Sequence, residues 1–135
     1  MKIEDIEQEC KDYQAELETL IPDDIDACIE RMTNLAVYHS RIGYLLALSK
    51  LNCNIEKRSK IVAEVIEPLI QQIKLSASAQ KVIVDGIACK EQFMVDWLDR
   101  LNSMCVHQID ICRSIISKGK EEMKISSFVQ NSAVV

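Results

Sequence analysis

Residues 98–115 read LDRLNSMCVHQIDICRSI. The fold turns on whether this stretch is the inside of a helix or a loop that holds a ligand. Cys105, His107, Asp110 and Cys112 together suggest a metal or a thiol catalyst. An α-helix, however, advances about 100° per residue, so side chains meet at spacings of three or four. Cys105 and Cys112 are seven apart and share a face, whereas His107 is two from Cys105 and lies on nearly the opposite side. One helix cannot offer Cys105 and His107 to the same zinc, and a structural site here would need the helix to break. The stretch therefore predicts no metal ligand and no cofactor.

The same residues fit a heptad. Leu98, Leu101, Cys105, Gln108, Cys112 and Ile115 alternate by three and four, and Val84, Ile87, Glu91 and Met94 extend the series upstream. Two readings stay open. The series is either a seam between copies, with Gln108 setting register or oligomer number, or the edge of an imperfect core within one chain. A second stripe, Phe93, Trp97, Met104, Ile111 and Ile115, gives the helix more than one neighbour. Asp96, Arg100, Ser103, His107, Ser114 and Lys118 form its solvated side.

Periodicity outward from this stretch predicts helices over 3–19, 25–51, 55–74 and 78–124. Asp23 or Asp24 caps the second, and Ser76 or Ser78 the last. LNCN, residues 51–54, ends the second helix, EKRSK opens the third, and Pro68 kinks it near Glu64–Glu67. The last helix has weak points at Gly86 and Gly119 and measures on the order of 70 Å if unbroken. The expectation is one all-α domain over 1–125, an elongated bundle of about four helices with a long C-terminal helix, oligomeric. Residues 126–135 are expected to be a flexible tail. Six aromatics, three glycines and two prolines in 135 residues support the helical class, because strands and turns consume those residue types.

The six cysteines occur singly within apolar helical patterns, and MKIEDIEQEC does not read as a signal peptide. The expectation is a cytoplasmic chain, with no membrane contact and with reduced thiols packed as small hydrophobes. His39, among Met32, Leu35 and Ile42, reads as a packed, hydrogen-bonded histidine. A spatial pair of Cys28 or Cys53 with His39 stays open. No phosphate loop or hydrolase motif is present, so no catalytic residue is assigned and the chain reads as a non-enzyme.

Charge is divided unevenly. Residues 1–30 hold 11 acids and 2 bases, net −9, while 31–135 hold 10 acids and 14 bases, net +4. Arg31, Tyr38 and Arg41, with Lys57, Arg58 and Lys60 downstream, are the candidate nucleic-acid contacts: cations for phosphates and a ring for base stacking. The acidic first helix is either a partner surface or a cover for this basic patch.

Several short stretches carry a family likeness. The opening MKIEDIEQE, TNLAVYHSR on the second helix, the LSAS connection, and the Trp97–Cys105–Asp110 helix ending in SKG resemble phage-encoded recombination mediators of the UvsY type. RLNSMCVHQIDICRSIISKGKEEM also resembles small proteins of phages and prophages. The mediator resemblance implies a ring-forming, non-enzymatic helical protein that binds single-stranded DNA, with a recombinase or a single-strand-binding protein as partner. NIEKRSKIVAEV carries the charge of the family's DNA-binding stretch without its aromatic residue. Two other expectations stand beside it: a helical adaptor, or a phage counter-defence protein that sequesters a nucleotide in its clefts.

Overall fold

A computed structural model of the chain describes residues 1–59, 67–73 and 76–133. Their regular structure is entirely α-helical: α1 (Ile3–Leu17), α2 (Ile25–Lys57), α3 (Glu67–Ile73), α4 (Ala77–Ile87) and α5 (Cys89–Ala133). Helix α5, with 45 residues, spans about 68 Å at the usual rise. No helix among the described residues is long and apolar enough to cross a membrane.

Local chemistry sets most of the ends. Asp24 accepts the Ala27 amide at 3.1 Å and caps α2, and Ser76 accepts the Ala79 amide at 3.2 Å and caps α4. Pro22 lies in the turn between α1 and α2, where its carbonyl accepts the Cys28 thiol at 3.0 Å. Two expected boundaries are corrected, and the continuity of 78–124, open between one rod and a break near Gly86 or Asn102, is answered. Helix α2 does not end at LNCN but runs to Lys57, so Glu56 and Lys57 close it rather than open the next helix. Asparagine costs a helix only about 0.7 kcal/mol relative to alanine, and Cys53, buried at the next core position, holds those turns in place. The last helix is not one rod: it breaks at Ala88, whose φ of −97° and ψ of 29° leave the helical range just after Gly86. Asn102 makes no break. At the far end α5 continues through Ser126 to Ala133, where a flexible tail was expected. The expected kink at 64–67 lies, apart from Glu67, outside the described residues.

Three helices form the core. Cys53 and Lys57 lie by Gln92, Arg31 by Gln108, and Ile25 by Gly119, so α2 and α5 run antiparallel. Glu9 meets Arg41, Tyr13 meets Tyr38, and the Glu16 carbonyl meets Arg31, so α1 runs antiparallel to α2 in the groove beside α5. Ile6, Cys10 and Leu17 of α1, Cys28, Leu35, Ile42 and Leu45 of α2, and Met94, Leu98, Leu101, Cys105 and Cys112 of α5 make one buried cluster. Four of these twelve are unpaired cysteines, whose small side chains bring the helix backbones close. Helix α4 packs on both α2 and α5.

Two glycines separate helix propensity from packing. A Cβ on Gly43 would meet nothing within 4 Å, whereas one on Gly119 would lie 2.6 Å from Ile25 Cδ1 and 2.7 Å from its Cγ1. Gly43→Ala is expected to stabilise by about 0.5–1 kcal/mol, and Gly119→Ala to give no gain because Ile25 must be displaced. Urea unfolding midpoints check this, and an equal gain at Gly119 would show that the α2–α5 contact there is loose.

Candidate functional site

The heptad on α5 is spent within the chain. Leu98, Leu101, Cys105 and Cys112 are fully buried, Gln108 nearly so, and Ile115 packs against the cluster. Of the two readings of this seam, the structure has the intrachain core. Gln108 does fix a register, but between helices of one molecule. Its amide nitrogen donates to the Leu17 carbonyl at 2.6 Å and its oxygen accepts from Arg31 at 2.9 Å. Without that amide the buried carbonyl would lose its donor, at a cost of about 1–3 kcal/mol.

Three of the six candidate nucleic-acid contacts come together, and α1 occupies them. Arg31 donates to the Thr19 hydroxyl and, at 3.1 Å, to the Glu16 carbonyl, placing a cation at the C-terminal end of α1 where the helix dipole favours one. Arg41 holds Glu9 with two bonds, Nε to Oε2 at 2.9 Å and Nη2 to Oε1 at 2.7 Å. The Arg41 guanidinium also lies 5.4 Å from the centre of the Tyr44 ring. The Tyr38 ring lies 5.4 Å from that of Tyr13, tilted by 53°. Trp97 of α5 completes the seat of α1 by donating to Gln14 at 3.2 Å. The other three candidates are elsewhere. Lys57 reaches the Gln92 side-chain oxygen at 3.4 Å, and Arg58 is exposed at the end of α2. Both lie about 24–26 Å along the helix from Arg41, and Lys60 is outside the described residues.

Three of the buried thiols sit in surroundings that oppose thiolate formation. Burial pushes Cys10 up to about 11, with the carboxylates of Glu9 and Glu7 adding to the shift. Burial likewise raises Cys28, which lies against the Cys112 thiol, and Cys105. A thiol held protonated is a poor nucleophile and a poor metal ligand. His39 shares α2 with Cys28 and Cys53 but is 11 and 14 residues away, or about 16 and 21 Å, so the Cys–His pair left open by the sequence is not assembled. His39 is only partly buried and lies near Val106, Ile109 and Asp110 of α5; among the described residues no hydrogen bond to it is found, against the bonded histidine expected. His107 is exposed beside Asp96, Arg100 and Ser103. Among the described residues, no three or more His, Cys, Asp or Glu side chains are grouped to hold a metal ion.

One feature of α2 escapes a reading centred on the core. Val37, Tyr44, Leu51 and Ile55 are 63, 57, 55 and 59 % exposed. Each follows a buried residue by two: Leu35, Ile42, Ser49 and Cys53. A step of two is about 200°, so these side chains lie opposite the core. Helix α2 is thus apolar on two opposite faces. The signal was in the sequence, since Val37, Tyr44 and Leu51 recur every seven residues.

The chain matches no protein-family model, no curated protein and no solved structure.

The hold of α1 is pH-dependent. The hydrogen bonds from Arg41 hold the Glu9 carboxyl below its ordinary range, which centres at about 4.3. A carboxyl depressed in the folded state contributes stability above that range, and the contribution is lost as pH falls through the folded value. The pair is partly exposed, so solvent screening keeps its contribution small. Trp97, the single tryptophan, touches Gln14 of α1 and reports the seating by its fluorescence. Acid titration is expected to shift its emission only once pH has fallen below the ordinary carboxyl range. Glu9→Gln is expected to lose part of the seating already at neutral pH and to give a flatter acid curve; identical curves would remove Glu9 from the hold.

Proposed function

We propose that this chain is a non-enzymatic helical adaptor that acts through protein contacts made on the outer face of α2. The observation that carries the reading is the exposed apolar series Val37, Tyr44, Leu51 and Ile55, opposite a complete core. A helix face needed only for solvation would be polar. Contiguous exposed apolar side chains edged by polar ones mark contact surfaces. The reading is also supported by the chemistry of the interior, where burial raises the thiols of Cys10, Cys28 and Cys105. A photo-crosslinking residue at Val37, in cells that naturally make the chain, is expected to give protein adducts of defined mass. The same residue at Arg100, on the polar side of α5, is expected to give none. A Val37 variant without adducts would overturn the reading.

A second reading is a single-stranded-DNA accessory of the recombination-mediator kind, with a recombinase or single-strand-binding protein as partner. One observation favours it. Arg41 meets Glu9 through the two-pronged geometry that carboxylates and phosphates share, so α1 occupies a place a phosphate backbone can take. In this reading α1 is a removable cover, and single strands compete with it for Arg31, Tyr38 and Arg41. Fluorescence anisotropy of a labelled single-stranded oligonucleotide is expected to show salt-sensitive binding that tightens several-fold in Glu9→Gln. Failure of both proteins to bind at low salt would exclude it.

A further inference from the structure

The outer face of α2 carries a complete second heptad. Asp26, Glu30, Thr33, Val37, Ser40, Tyr44, Ala47, Leu51, Asn54 and Arg58 are spaced alternately by four and three, and all ten are exposed. The series runs over about 48 Å. Its apolar members, Val37, Tyr44, Ala47 and Leu51, span the central two heptads, the part of the face that pairing would bury. Its centre alternates larger side chains, Val37 and Tyr44, with small ones, Ser40 and Ala47, and its ends are charged with opposite sign.

We infer that this face pairs with the same face of a second copy, antiparallel, about a two-fold axis level with residue 42. The inference rests on the reading of α2 as a contact surface and names what covers it. Charge is complementary within the series itself, acidic at Asp26 and Glu30 and basic at Arg58. The spacing is symmetric about residue 42, so an antiparallel partner sets each position against another of the same series. Val37 then meets Ala47 of the second copy, Ser40 meets Tyr44, and Thr33 meets Leu51. Large side chains pack against small ones, as interdigitation requires. At each end Asp26 of one copy meets Arg58 of the other, and Glu30 meets the Asn54 amide. Sliding the partner by one heptad puts Asp26 against Leu51 or Arg58 against Thr33. A parallel pair puts Asp26 on Asp26 and Arg58 on Arg58. Charge therefore selects both the direction and the register. A closed two-fold pair also makes one surface self-complementary, so a single apolar face is covered on both molecules at once.

Sedimentation equilibrium of the full chain tests the pairing. The wild type is expected to be a reversible dimer. Asp26→Lys and Arg58→Glu alone are each expected to raise the dimer Kd by about tenfold, because the two-fold repeats every substitution. The double variant is expected to return to within about threefold of wild type, since the pairs re-form with signs exchanged. Direction is read separately in a Cys89→Ser background, which removes the one exposed thiol. Val37→Cys with Ala47→Cys is expected to give a disulfide-linked dimer under mild oxidation, and Val37→Cys alone is not. Crosslinking by Val37→Cys alone would mean a parallel pair and overturn the proposal. So would a double charge variant no better than the singles, or a wild type that stays monomeric at every concentration reached. A monomer whose Val37 crosslinker captures a different protein removes the dimer but leaves the adaptor reading, whereas a monomer with no adduct removes both.

Discussion

The antiparallel packing of α2 on α5 is the contact on which the rest of the molecule depends. It is continuous from Cys53 beside Gln92 to Ile25 beside Gly119, and it alone unites the ends of a long chain segment. Its character comes from small side chains. Cys28, Cys105 and Cys112 occupy heptad positions where leucine would hold the helices apart, and the fully buried leucines fill the layers between them. The groove left beside this pair receives α1, which is too short to be stable alone in water. The order of dependence is therefore fixed: α2 and α5 make the seat, and α1 takes it.

What holds α1 is more polar than what holds α2 to α5. Ile6, Cys10 and Leu17 supply burial, but its angle and register are set by Gln108, Arg31 and Arg41. Gln108 and Arg31 both work at its C-terminal end, where a helix leaves its last carbonyls unbonded. Arg31 keeps its Nε buried without a partner while its other nitrogens are bonded, so this corner sacrifices one donor to satisfy several acceptors. A strap held by one half-exposed ion pair, one buried amide and three buried side chains is weaker than the seam beneath it. Such elements come from the low-stability end of a fold and open first.

The helical class, the caps at Asp24 and Ser76 and the heptad on α5 were legible because each follows from nearest-neighbour geometry. Less legible was whatever depended on a partner across space. Leu98 to Ile115 reads equally well as a seam between molecules or within one, since periodicity defines a face and not what covers it. Asn52 and Asn54 read as a stop, because burial of Cys53 against α5 has no local signature. The break at Ala88 was legible only as the weakness of Gly86. Arg31, Tyr38 and Arg41 do share one side of α2, as their spacing implies. Their engagement by α1 was foreshadowed only in the net −9 of the first thirty residues. The outer series on α2 was visible as a seven-residue recurrence, but the buried series interleaved with it accounts for the same helix and conceals it.

These features bear on one another through the geometry of α2. The core faces one way, the outer series faces the opposite way, and the basic side under α1 lies between them on one flank. A two-fold that reverses α2 upon itself keeps each flank on its own side of the pair. Both α1 helices then lie on the same side, with the carboxylates that Arg41 does not hold, among them Glu4, Asp5, Asp12 and Glu16, facing outward. The pair would present one broad acidic face. Polyanions are repelled by such a face and basic surfaces are attracted to it, and doubling the charge strengthens both effects. With α1 seated such a pair would therefore suit a cationic surface better than a polyanion. With α1 displaced it would offer two sets of Arg31, Tyr38 and Arg41 side by side, the arrangement in which a weak phosphate-binding patch gains most from repetition. The seating of α1 combines the burial of Ile6, Cys10 and Leu17 with the Glu9–Arg41 pair and the Gln108 amide, and it covers Arg31, Tyr38 and Arg41.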